Sequence, residues 1–431
     1  MELLSKIAQF VLMISILVIL HEFGHYIPAK LFKTKVEKFF LFFDVKFALF
    51  KKKIGDTTWG IGWLPLGGYV KIAGMVDESM DREQMAKPSK PWEFRSKPAW
   101  QRLIIMCGGV IVNFLLGWFV LSALLFNHGE TYIPASNLEY GVEVDSVGKV
   151  IGFKTGDKIL SVDGKPIKKM HEATIEILLG DYATVDRNGE KIKIDFKPEH
   201  KKMMLKKQSQ IISPRVKTVI DTVLPNSIAL GLGIQKGDYI IEANGKQIRF
   251  WSEFVEEIVA SKGTELSLGI LRAGVKIKKT TILTNEGKLG VGADFISLYK
   301  TDKYTLAESI PAGLYKAINT LSFQIRQFKL FFNRKTEAYK EMHGPVGIVQ
   351  QMNPEWDAIR FWSQLAMFSL WLGFVNILPI PALDGGHVMF LLYEIITRRK
   401  PSQRVLEIGQ VIGFIFTMGL MLAITIFNDI L

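Results

Sequence analysis

Four windows along the 431-residue chain are almost purely apolar, and the polar residues crowd into the stretches between them. The windows run from about Ile7 to Leu31, Leu103 to Phe126, Phe361 to Ile380 and Val405 to Phe427. Each is close to the roughly 20 residues that a helix needs to cross hydrocarbon, so the pattern predicts four transmembrane helices. The first apolar run continues into HEFGHYIPAKLF with no small-residue cleavage site, unlike a signal peptide.

Between the second and third windows lies a long polar segment with an internal repeat. GFKTGDKILSVDGKPI (152–167) and GIQKGDYIIEANGKQI (233–248) align without gaps at an offset of 81, with 7 of 16 positions identical. Each copy reads as a turn, a short strand and a two-residue Asp-Gly or Asn-Gly hairpin. That period suits two small tandem domains, and the pattern resembles PDZ domains, which bind peptides by adding a strand to a sheet edge. Next, Thr305-Leu-Ala-Glu308 forms a capping box. Ile310, Leu314, Ile318, Leu321, Ile325 and Phe328 then share one helical face, which predicts an amphipathic helix at the membrane surface or packed on the soluble domain.

After the first window, WGIGWLPLGGYVKIAG (59–74) alternates Gly with apolar residues and predicts hairpin strands entering the membrane. Residues 77–98, charged and carrying Pro88, Pro91 and Pro98, read as a linker. The expectation is an α-helical polytopic membrane protein of four transmembrane helices, with two small α+β PDZ-like domains and a membrane-associated β-hairpin region.

Charge sets an orientation. Residues 32–100 hold 13 Lys and Arg, and RRKPSQR between the last two windows holds four. Short loops rich in Lys and Arg stay cytoplasmic, which places both termini and the 128–360 segment outside. The net charge of +12 is spread over loops, with no basic recognition motif interleaved with aromatics, so a nucleic-acid partner is not expected. The single cysteine, Cys107, excludes an intramolecular disulfide and any cysteine-based zinc cluster.

His21-Glu22-Phe23-Gly24-His25 is an H-E-x-x-H within the first span. Positions i and i+4 share a helix face, so both imidazoles can bind one zinc ion while Glu22 serves as general base. Two imidazoles and a carboxylate in hydrocarbon cost several kcal/mol unless paired or metal-bound, which argues against a purely structural role. A catalytic zinc site takes a third protein ligand. Spans one and three run in the same direction, and Asp384 lies about as far along its span as His21 does along the first. It ends Asn376-Ile-Leu-Pro379-Ile-Pro381-Ala-Leu383-Asp384, where prolines and glycines break the helix. Asp384 is the favoured third ligand and His387 its rival; His128, His171, His200 and His343 fall in external segments.

HEFGH, LPLGGYVKIAG, a PAWQR…N segment (98–113), the tandem repeats, HGPVGIV (343–349) and NILPIPALDGG together resemble the site-2 protease family, across nearly the whole chain. The resemblance implies one zinc ion held by His21, His25 and Asp384, with Glu22 as catalytic base and Asn376 holding the substrate backbone. It also implies a bacterial inner-membrane protease that cuts single-span proteins with trimmed external domains, such as anti-sigma factors, or leftover signal peptides. In that case the PDZ-like pair excludes substrates with bulky external domains. One departure from the family is Cys107-Gly108-Gly109 ahead of Asn113, which touches helix packing. A PDZ scaffold with a structural zinc and a transporter are the competing readings. Glu22 argues against the first, and the lack of an inverted repeat among the spans against the second.

The expected layout is a first transmembrane helix (1–31), a cytoplasmic Gly-rich β region and linker (32–99), and a second helix (100–127). Two PDZ-like domains (128–215 and 216–300) follow, then an amphipathic helix region (301–360), a third helix with NILPIPALDGG (361–397) and a fourth (404–428).

Overall fold

A computed structural model describes residues 1–65, 67–75, 88–207 and 210–430; the first half of the expected linker, 77–87, lies outside them. The chain divides into two units. One comprises residues 1–129, 303–329 and 339–431, and the other 130–302 and 330–338.

In the first unit, α1 (Glu2–Leu31) and α2 (Ala99–His128) are apolar helices of 30 residues each. Between them lie β1 (Val36–Leu41), β2 (Phe43–Ile54), β3 (Thr57–Leu64) and β4 (Tyr69–Ile72). Their sheet order is β2-β3-β1-β4. The strands of 59–74 do not pair with each other: β3 forms an antiparallel hairpin with β2 and pairs in parallel with β1, and β4 pairs antiparallel on the other side of β1. Alternation of Gly and apolar residues marks strands but carries no information on which strands pair. As a result β4 becomes an edge strand.

Among the described residues, four helices are long and apolar enough to span a bilayer: Glu2–Leu31, Ala99–His128, Ala358–Ile377 and Arg404–Ile430. The α2 helix packs between its neighbours by means of glycines. A Cβ on Gly117 would lie 2.6 Å from Leu370 Cγ on the third span, and Ser369 Oγ donates to the Asn113 carbonyl at 2.7 Å. Small residues suit such contacts, because in lipid there is no hydrophobic force between helices and close packing must supply the attraction. Met13 and Leu17 of α1 pack against Phe361 and Leu365.

The 361–397 segment is not one helix. It stops at Ile377, turns, and restarts at Asp384. Proline at 379 and 381 removes two backbone donors, and Ala382 adopts φ +105°, a strained conformation for a residue with a side chain.

The helix Leu306–Phe332 begins with the expected capping box: Thr305 N–H donates to Glu308 Oε2 at 2.9 Å and Glu308 N–H to Thr305 Oγ1 at 3.3 Å. Its buried stripe, however, is Ser309, Ala317, Gln324 and, near the end, Leu330, while Ile310, Leu314, Ile318 and Ile325 are exposed. Gly313 abuts Ser122 of α2, and Gln324 Nε2 donates to the Met367 carbonyl at 3.2 Å. The helix therefore packs on the spans through small and polar residues along most of its length and through Phe328, whose ring lies 5.9 Å from that of Trp371, while Ile310, Leu314, Ile318 and Ile325 face outward.

The second unit contains two lobes built alike, each with its own hydrophobic core. In the first lobe, β5 (Lys158–Val162) and β6 (Lys165–Pro166) meet at Asp163-Gly164; strands 239–243 and 246–247 of the second lobe meet at Asn244-Gly245. All four turn residues have positive φ, which Gly, Asn and Asp tolerate. The recurring Gly-Asp has its own structural task. Asp157 accepts two hydrogen bonds from Arg187, at 2.7 and 2.8 Å, and Asp238 takes two from Arg272, at 2.6 and 2.7 Å. Both carboxylates are almost fully buried and also accept a local backbone N–H, so neither is left unpaired. The segment enters through Glu130–Tyr132 and leaves through Lys300–Asp302, and these strands pair, with Thr131 opposite Thr301.

Candidate metal centre

His21 and His25 project from one face of α1, their rings 4.9 Å apart and nearly perpendicular. Asp384, the first residue of its helix, meets them from the opposite side. Its Oδ2 lies 3.4 Å from His21 Nε2 and 3.4 Å from His25 Nε2, and the two nitrogens are 3.3 Å apart. A tetrahedral metal with bonds of 2.0–2.1 Å has ligand-to-ligand edges of roughly 3.3–3.4 Å, so the triangle matches one face of such a tetrahedron. Asp384 Oδ2 is buried with no hydrogen-bond partner, a costly state for a carboxylate oxygen unless a cation completes it. Among the described residues, this is the one cluster of three His, Cys, Asp or Glu with metal-ligand spacing. His387 lines the same cavity but lies outside the triangle.

The surrounding sequence makes this meeting possible. A Cβ on Gly109 would lie 2.4 Å from His25 Nε2 and 2.6 Å from His21 Cε1, so only glycine leaves room for the imidazole pair. A Cβ on Gly385 would lie 2.2 Å from the Leu378 carbonyl oxygen, and one on Gly386 2.6 Å from that of Ile380. The glycine pair thus lets the helix restart against the end of the one before it, which carries Asp384 inward. His25 Nδ1 donates to the Ile105 carbonyl at 2.9 Å, a contact that fixes the proton on Nδ1 and leaves Nε2 facing Asp384. His21 Nδ1 faces Asn113 Nδ2 at 3.1 Å, and Asn376 Nδ2 lies 3.4 Å from His21 Nε2.

These groups open onto a cavity of about 570 Å³, lined also by Glu22, Asn376, Gln410 and the edge strand β4 with Gly67 and Gly68 before it. Glu22 is buried beside the histidines. On the cavity wall Tyr69 OH donates to Asp44 Oδ1 at 2.8 Å, with Lys38 3.5 Å from Asp44 Oδ2. The sequence pattern did not single out Lys38, Asp44 or Gln410, since each is a lone polar residue without a motif. Gly109 was visible as half of a glycine pair, but its contact with the histidines was not. His343 lies elsewhere, 3.3 Å from the buried Asp429, and His128, His171 and His200 lie outside the cavity lining.

The sequence pattern of peptidase family M50 matches residues 9–420. A Neisseria meningitidis protein that carries a zinc metalloprotease name is 31% identical, with 99% of each chain covered. The regulator of sigma-E protease RseP of Escherichia coli is 26% identical over 99% of this chain and 98% of its own length. The regulator of sigma E protease of Haemophilus influenzae is 26% identical over the whole of both. The match spans nearly the whole chain, and the chain belongs to peptidase family M50, the site-2 proteases, and is a membrane-embedded metalloprotease.

Proposed function

We propose that this protease cuts peptide bonds within the membrane-spanning segments of single-span proteins, using one zinc ion held by His21, His25 and Asp384. The observation that carries the reading is the triangle of ligand atoms with edges of 3.3–3.4 Å, closed by a buried carboxylate oxygen that has no other partner. Zinc bound there supplies Lewis acidity toward a peptide carbonyl and toward water. Glu22, beside the pair, takes the proton from the attacking water and returns it to the leaving amine. Asn376 donates its amide N–H to the substrate backbone.

A substrate helix keeps its backbone groups in its own hydrogen bonds, so it unwinds before it is cut. Among the described residues β4 is the edge strand of its sheet, and along the cavity it offers replacement bonds to the extended segment by strand addition. The two lobes of residues 130–302 act as PDZ-like domains that exclude substrates with bulky external domains. The site faces the cytoplasmic side of a bacterial inner membrane, with the lobes and termini outside, a reading supported by the Lys- and Arg-rich segments at 32–100 and 398–404. The E. coli and H. influenzae relatives are named as regulators of sigma E, which suits an anti-sigma factor as the first substrate class, with remnant signal peptides as the second.

The test is cleavage of a single-span reporter with a trimmed external domain, comparing the wild type with Glu22→Gln in the same membranes. Removing a general base lowers kcat by roughly 10²–10⁴-fold, while the zinc content of the variant stays that of the wild type. Equal cutting by both proteins would sink the assignment of Glu22.

A further inference from the structure

The two imidazoles of the triangle are not supported alike. The His25 ring is fixed by a carbonyl, which can only accept, so its Nδ1 carries the proton. His21 instead faces the side chain of Asn113, and an amide has both a donor end and an acceptor end. Asn113 is fully buried on α2, its carbonyl held by Ser369 Oγ and its Cβ 3.3 Å from the Cβ position of Gly373. Its Nδ2 lies 3.1 Å from His21 Nδ1, and its Oδ1 is buried without a partner.

With Nδ2 as donor, His21 Nδ1 must accept. The ring proton then sits on Nε2, the atom that faces Asp384 and His25, and no lone pair remains there for a cation. One rotation of the amide by 180° removes this conflict, bringing the idle acceptor Oδ1 to the position 3.1 Å from Nδ1. The amide oxygen and nitrogen are nearly equal in size, so the turn needs no repacking.

We propose that Asn113 is a positioning residue for His21. Its amide oxygen accepts from Nδ1–H, which holds the ring in the tautomer whose Nε2 lone pair points at Asp384 and His25. The inference rests on the zinc reading of the triangle and extends it to the hydrogen bond that prepares one ligand. It also accounts for the asymmetry of the site: His25 takes its acceptor from the backbone of α2, and His21, one turn earlier, takes its own from a side chain of the same helix.

The test uses the purified full-length protein, metal-free and labelled with ¹⁵N-histidine, with the His21 resonances assigned by their loss in His21→Asn. The expected wild-type spectrum is that of an Nδ1–H tautomer. Zinc is then titrated against a chelating indicator. Loss of such a supporting contact costs roughly 10–100-fold in metal affinity, so Asn113→Leu should weaken zinc by that factor, while Asn113→Asp, which can only accept, should stay within about threefold of wild type. An Nε2–H wild-type tautomer, an unchanged zinc affinity in Asn113→Leu, or an Asn113→Asp variant as weak as Asn113→Leu would each overturn the proposal. If Asn113→Leu does not fold, the wild-type tautomer and Asn113→Asp still decide the matter. A wild-type protein that binds no zinc sinks the metal reading instead, and the tautomer then decides the role of Asn113 alone.

Discussion

Gly24 and Gly108 meet so closely that a Cβ on Gly24 would lie 2.4 Å from the Gly108 carbonyl oxygen, and one on Gly108 1.9 Å from that of Gly24. This backbone-to-backbone contact fixes where α1 crosses α2, within the turn that joins the two histidines. Gly109, the next residue, then passes directly over both imidazoles. The departure in this part of the second span is thus more than helix packing, since the second glycine is part of the wall of the metal centre. Backbone cannot yield as a flexible side chain can, so a methyl group here has nowhere to go. Overpacking typically costs 1–3 kcal/mol, and at this position it must also displace a ligand. Gly109→Ala should lower the zinc content of the purified protein well below one per chain. Gly419→Ala in the last span, with nothing within 4 Å of the added methyl, should leave it unchanged.

Asp384 and His387 are separable by metal content. Only Asp384 places an oxygen within 3.4 Å of both imidazole nitrogens. Asp384→Ala should strip zinc from the protein, whereas His387→Ala should retain one ion per chain. The reverse pattern, read by elemental analysis after gel filtration, would transfer the ligand role to His387.

The ion pair of Asp238 and Arg272 ties pH to the stability of the second lobe. Burial by itself raises the Asp238 carboxyl, but the hydrogen bonds from Arg272 and the Gln235 N–H outweigh it and hold the group below the ordinary carboxylate range. A carboxyl depressed on folding contributes stability that is fully present above its unfolded pKa of about 3.9 and is lost as pH falls through the lower folded value. Hydrogen exchange at Ile240 and Leu268 should therefore be slow at pH 6 and accelerate only below about pH 4. Asp238→Asn should show little of this acid dependence and should exchange faster at pH 6. Arg272 is 31% exposed on its side chain, so the cost should lie below the roughly 3–5 kcal/mol of a fully buried broken pair. A wild-type acid response that survives in Asp238→Asn would remove this assignment.

The pairing of Thr131 with Thr301 brings the two ends of the insert side by side, so a short Gly-Ser linker can replace residues 132–300. If the two lobes filter substrates by size, this deletion should cut reporters with intact external domains about as fast as trimmed ones. The check is the ratio of the two initial rates, with metal content confirming a folded catalytic unit. A ratio equal to the wild-type value would remove the filter.

Much of this protein is written in local pattern, which physical chemistry translates residue by residue. Runs of some 20 apolar residues become spans because the hydrocarbon of a bilayer has one thickness. Asp-Gly and Asn-Gly become hairpin turns because their residues accept positive φ. His21 and His25 share a face because a helix turns every 3.6 residues. What lay beyond reach was how residues distant in sequence are brought together. Matched depth favours Asp384 as partner of the histidines, but it reaches them because glycines 385 and 386 let one helix abut another. The strand order placing β4 at the edge follows from a parallel pairing that alternation cannot encode. The helix Leu306–Phe332 buries its small face because packing between helices in lipid rewards close approach rather than bulk. Sequence by itself determined which residues could meet a metal and a membrane. Tertiary structure decided which of them do meet, and, through Gly109 and Asn113, at what distance and with which nitrogen.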